Sequence, residues 1–99
     1  MIKVLLVDDE RLIIQGFLHS VDWKSYGYDV IGTAESAKEA LRICETVIPD
    51  IAILDINMSG MDGLELGVEL KKLNPDIVII LLTAYSDFSY AREAVRKQF

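Results

Sequence analysis

No internal disulfide is possible in this chain, because Cys44 is its only cysteine. Lys3 is the sole cation before the first acids, which is not the pattern of a secretory leader. Together these features predict a reducing, cytoplasmic setting. Long hydrophobic runs are missing as well. The longest, Ile77 to Leu82, is six residues, against about 20 needed to cross a bilayer, so no membrane segment is expected. Proline stands only at Pro49 and Pro75, and no low-complexity stretch or interdomain linker interrupts the chain. Positive charge is in deficit, with 10 Lys and Arg against 16 Asp and Glu for a net charge of −6. Such a balance repels a phosphate backbone, so these residues are not expected to bind nucleic acid directly. His19 is the one histidine. It has no second nitrogen or sulfur ligand at useful spacing, which removes a zinc-type site and leaves it as an expected surface residue.

What is present is enough for one small core. Ninety-nine residues make a single domain, and a mean hydropathy of +0.29 argues against disorder. Short apolar runs alternate with amphipathic stretches. Residues 2–7 read as a strand apolar on both faces, and 10–21 as a helix with Ile13, Phe17 and Val21 on one stripe. After a polar loop, 28–33 is a weaker strand with polar interruptions, as suits a sheet edge. Ser36 and Glu39 have capping-box spacing and open a helix with Ala37, Ala40, Leu41 and Cys44 on one face. Ile48-Pro49-Asp50 stops it before strand 51–55. A turn-rich loop, Met58 to Gly63, leads to a helix that Asp62 and Glu65 could cap, with Leu66, Leu70 and Leu73 sharing a face. Asn74-Pro75-Asp76 ends that helix, 77–82 is a fourth strand, and Ser86 caps a last helix over roughly 87–97 that carries Phe88, Ala91 and Val95. Four βα units predict an α/β fold, a parallel sheet covered on both faces.

In such sheets ligands bind beyond the carboxyl ends of the strands, where strand order reverses. Asp8, Asp9, Asp55 and Thr83 all fall at predicted carboxyl ends. Like charges that meet there raise one another's pKa, so the cluster calls for a cation or a chemical task. Carboxylates with a loop carbonyl suit a hard divalent ion such as Mg²⁺. A carboxylate is also a nucleophile toward phosphorus, and a Thr83 hydroxyl could hydrogen-bond an incoming phosphoryl oxygen.

These residues carry a resemblance. Val7-Asp8-Asp9-Glu10, Leu54-Asp55-Ile56-Asn57-Met58-Ser59-Gly60-Met61-Asp62-Gly63 and Leu82-Thr83-Ala84 resemble the receiver domain of two-component response regulators, in the right order along essentially the whole chain. The resemblance implies a flavodoxin-like three-layer αβα sandwich with strand order 2-1-3-4-5. It implies Asp55 as phosphoacceptor, and Mg²⁺ held by Asp9, Asp55 and the main-chain carbonyl of Asn57, with Asp8 holding a metal-bound water. Thr83 is then the switch hydroxyl, with Ala84 leaving space beside it. The donor is a phosphohistidine on a sensor histidine kinase. Val21 to Tyr28 and Tyr85 to Ala91 resemble the subgroup with an arabinose-regulator-type helix-turn-helix output domain, so DNA would be reached only through a domain outside these residues.

The family usually has proline where Ser59 stands, and an Asn-Gly type turn where Ser36-Ala37 stands. Its fifth strand and helix, its phosphoryl-pairing lysine and its aromatic switch partner have no counterpart before Phe99. The expected domain is therefore 1–99, a C-terminally incomplete receiver. Its fourth strand would be an unpaired apolar edge, compatible with a homodimer. Two other functions compete. A phosphorylation-independent interaction module is favoured by the missing lysine and disfavoured by the intact acids. An aspartate-dependent phosphohydrolase needs a second acid two residues after the nucleophile, where this chain has Asn57. Plainer readings cover other residues. Gly60 and Gly63 read as turn formers, Cys44 as a buried small hydrophobe, Trp23 as local packing, Met58 and Met61 as loop packing, and Lys71-Lys72 as a wet helix face.

Overall fold

The computed structural model describes residues 1–82. The predicted last helix and Thr83 lie outside the described residues. The elements are β1 (Ile2–Val7), α1 (Arg11–Ser20), β2 (Tyr28–Ala34), α2 (Ala37–Ile43), β3 (Ile51–Asp55), α3 (Gly63–Leu73) and β4 (Val78–Leu82), with a short 3-10 turn at Lys24–Tyr26 before β2. The four strands form one sheet in the order β2-β1-β3-β4, and every neighbouring pair is parallel. The strand with polar interruptions is an edge, as its sequence predicts.

This order places the site. The chain steps from β1 to β2 in one direction, then crosses back past β1 to β3 and on to β4. Right-handed crossovers in opposite directions put α1 on one face and α2 and α3 on the other. The reversal point lies between β1 and β3. There Val4 to Val7 run beside Ile51 to Leu54, so the next residues, Asp8 and Asp55, emerge side by side.

The core fills the α2–α3 side. Leu5, Val7, Ala52, Leu54 and Ile79 pack with Ala37, Ala40, Cys44, Leu66 and Leu70. Val4 and Leu6, one residue out of phase and on the opposite face, are also buried. The stripe predicted for α1 needs correction. Its buried residue is Ile14, while Ile13 is exposed and Phe17 half-buried. Leu73, expected to share the inner face with Leu66 and Leu70, is 50% exposed in the last position of α3. Lys71 is not simply wet either, since its Nζ donates to the Ile77 carbonyl at 2.6 Å and ties α3 to the entry of β4. Cys44 is buried, and burial pushes its thiol pKa up, which leaves it unreactive. Trp23 packs locally, its Nε1 donating to the Phe17 carbonyl and its ring meeting Tyr28 edge-on.

The two helix starts differ. Asp62 and Glu65 form a reciprocal capping box, with the Glu65 N–H donating to Asp62 and the Asp62 N–H to Glu65. At α2, Ser36 accepts from the Glu39 N–H, but the Glu39 carboxylate reaches the Glu35 N–H instead of its own cap residue. Half a box forms there. α2 also ends well before Pro49, because the Glu45 and Thr46 N–H groups bond three residues back, to Arg42 and Ile43, and tighten the last turn. Asp62→Ala removes the accepting oxygen of a complete box and is expected to cost about 1 kcal/mol in urea unfolding, with an unchanged slope.

Candidate functional site

Each acid at the rim is set by the strand before it and by the loop that follows. Asp8 closes β1. Its N–H donates to the Ala34 carbonyl of the neighbouring strand, and its carboxylate accepts from the Glu10 N–H at 2.9 Å. Asp55 closes β3, and its carboxylate accepts from the Asn57 N–H at 3.2 Å. The same local device, a side chain bonded to the amide two residues on, holds both carboxylates over the strand ends. Asp9 is exposed beside them.

The three converge. One carboxylate oxygen from each of Asp8, Asp9 and Asp55 lies within 4.8 Å of the others. Asp8 and Asp55 border a cavity of about 530 Å³ in which they supply the polar lining with Glu10 and Asn57, and Ile13, Phe17 and Leu82 form the apolar wall. The exposed position of Ile13 now has a reason, since it faces this cavity and not the core.

The electrostatics record the crowding. Asp55 is pushed up from 3.8 to about 6, chiefly by burial and further by the charges of Asp8, Asp9 and Glu10, against the lowering effect of the Asn57 N–H. Asp8 is also raised, first by burial and then by Asp9, with the Glu10 N–H opposing. Negative charge is in excess at a partly dry rim, which is what a bound cation relieves. The donors are all hard oxygens, the set that suits Mg²⁺ or Ca²⁺ and not a soft metal. Opposed oxygens around Mg²⁺ stand about 4 Å apart, so the observed convergence fits such an ion with little adjustment.

Gly63 belongs to this site in a way its turn-forming reading misses. Gly60 does occupy the left-handed region, at φ 75°, as a turn former should. Gly63 instead opens α3, and its N–H donates to the Ile56 carbonyl. A Cβ there would collide with the Asp55 carbonyl oxygen and lie 2.9 Å from both the Asp55 carbonyl carbon and the Ile56 Cα. The start of α3 is pressed against the backbone that carries Asp55. No local sequence signal separates such a close approach from an ordinary turn glycine. Glu10 is the other residue that sequence reasoning passed over. Its neighbour Arg11 bridges to Glu35 at 3.1 Å, across exposed surface.

Comparison with known proteins agrees with this geometry. Residues 4–99 match the family model described as the response regulator receiver domain. The chain is 40% identical over 96 residues to the transcriptional regulatory protein YesN of Bacillus subtilis, covering 97% of this chain and 26% of that protein. It therefore spans about a quarter of that relative's length. The crystal structure of a two component transcriptional regulator AraC from Clostridium phytofermentans superposes with a TM-score of 0.88 at 34% identity, covering 95% of this chain and 73% of that one. Response regulator protein TrrA from Thermotoga maritima, solved in complex with Mg²⁺-BeF, gives a TM-score of 0.73 at 42% identity, covering 89% and 74%. The convergent acids, the doubly wound sheet and these matches have one reading: the chain belongs to the receiver-domain family of two-component response regulators.

Proposed function

We propose that this chain accepts a phosphoryl group on Asp55 from a phosphohistidine of a sensor histidine kinase, with Mg²⁺ as cofactor. The observation that carries the reading is the convergence of Asp8, Asp9 and Asp55 at the point where strand order reverses. Asp9, Asp55 and the main-chain carbonyl of Asn57 would hold the ion directly, and Asp8 would hold a water bound to it. Bound there, the ion supplies positive charge against the acids and the incoming phosphoryl oxygens.

The residues of the chain do the rest. A carboxylate oxygen of Asp55 forms the new bond to phosphorus while the bond from phosphorus to the donor nitrogen breaks, and the departing imidazole takes up a proton from solvent. The Asn57 N–H fixes the carboxylate for that attack through Oδ1. Only the ionised form attacks, and a cation beside Asp55 offsets the burial and like charges that raise its pKa, favouring that form. Thr83 is assigned the switch hydroxyl. Modification shifts an equilibrium between two conformations, and the change is read by an output domain outside this chain, of the arabinose-regulator DNA-binding type. The setting is cytoplasmic, and no helix among the described residues is long and apolar enough to cross a membrane.

Incubation with Mg²⁺ and phosphoramidate, followed by intact mass, tests the reading. A single phosphoryl adduct is expected in the wild type, lost when Mg²⁺ is chelated and lost in Asp55→Asn. An adduct that persists in Asp55→Asn would overturn it.

A further inference from the structure

We propose that Glu10 sets the charge selectivity of the phosphoryl donor, holding a fixed negative charge at the wall of the Asp55 cavity that disfavours free, highly charged donors. The inference rests on Asp55 being the acceptor, and deepens that reading.

Glu10 lines the same cavity as Asp55. It stands at the cap position of α1, where an acid commonly accepts from helix N–H groups, yet its side chain makes no capping hydrogen bond. Its backbone does the structural tasks. The N–H donates to Asp8, and the carbonyl accepts from Ile13 and Ile14. The nearby Arg11 is engaged by Glu35 and does not neutralise it. The Glu10 carboxylate is therefore exposed and spared from folding tasks, and its field falls on the cavity. A divalent ion among three acids leaves the rim negative even before Glu10 is counted. A fourth acid makes approach harder in proportion to the charge a donor carries. A phosphoryl group presented amid cationic side chains of a protein suffers least from this field, and a small free dianion suffers most.

The test is a charge series at one position, wild type, Glu10→Gln and Glu10→Lys. Each is phosphorylated with Mg²⁺ by acetyl phosphate, doubly negative near neutral pH, and by phosphoramidate, singly negative. Rates are read as adduct formation by intact mass. Each step in the series is expected to raise the acetyl phosphate to phosphoramidate rate ratio about three- to fivefold at low salt, the size of one unit charge acting through water over a few ångströms. The gain is expected to shrink as salt is raised above about 0.1 M. A merely structural role would change both rates together and leave the ratio alone. A flat ratio with normal wild-type adducts overturns this inference and leaves the acceptor assignment standing. Absence of adduct in the wild type with both donors overturns both.

Discussion

Gly63→Ala is expected to lower the stability of this domain by about 3 kcal/mol or more, near the upper end for overpacking at a site that cannot relax. The added methyl meets the backbone of Asp55 and Ile56, not the end of a flexible side chain. Relief requires α3 to move away from the end of β3. That movement would strain the Gly63 N–H to Ile56 carbonyl bond and pull at Leu64 and Leu66, both buried. It also displaces the backbone that carries the acceptor. Two measurements therefore move together. The urea midpoint falls, and the surviving folded protein is phosphorylated more slowly than wild type under stabilising conditions. Gly60→Ala is the control. It meets no atom within 4 Å and pays only for its left-handed backbone, φ 75°, expected at about 1 kcal/mol. Equal losses at both glycines would remove the steric account of Gly63.

Asp55→Asn is expected to stabilise the metal-free protein at neutral pH. Asp55 holds its proton more tightly folded than unfolded, since its pKa rises from 3.8 to about 6. Ionising it therefore costs stability. The cost is absent below about pH 4, grows between there and pH 6, and is complete above. The displacement corresponds to at most about 3 kcal/mol, and solvent screening at a partly exposed group brings it to roughly 1–2 kcal/mol. Asparagine keeps an oxygen for the Asn57 N–H and removes the charge. Thermal or urea unfolding of the two proteins should separate as pH rises through 4 to 6 and stay apart above. Saturating Mg²⁺ is expected to close or reverse the gap, because binding to the folded wild type stabilises it by mass action. A gap that is constant from pH 3 to pH 8 would remove the charge-crowding account.

These two expectations bear on what a sequence displays. The strands and their parallel pairing are legible because period and turn chemistry are local signals, whereas the strand order, and with it the meeting of Asp8 with Asp55, comes from the family resemblance. The α1 stripe was not. Ile13 and Phe17 repeat with helical spacing as well as Ile14 does, and only the tertiary structure shows that the first two line a cavity. Gly63 looked like Gly60 for a similar reason, since steric approach between β3 and α3 leaves no mark in the intervening loop. Ser36 and Glu39 have the spacing of a full capping box, but the Glu35 N–H takes the Glu39 carboxylate that would have closed it. In the sequence Glu10 is legible only as part of the Val7-Asp8-Asp9-Glu10 motif, and only the hydrogen bonds around it show that its side chain caps nothing.

Locating the acceptor is the most direct measurement. The protein is phosphorylated with Mg²⁺ and phosphoramidate, reduced with borohydride, which converts an aspartyl phosphate to homoserine, and mapped by peptide mass spectrometry. Homoserine is expected at position 55 alone. Reduction at Asp8 or Asp9, or a stable phosphate on Ser59 or His19 with Asp55 unchanged, would contradict the assignment of these strand ends as a phosphoacceptor site.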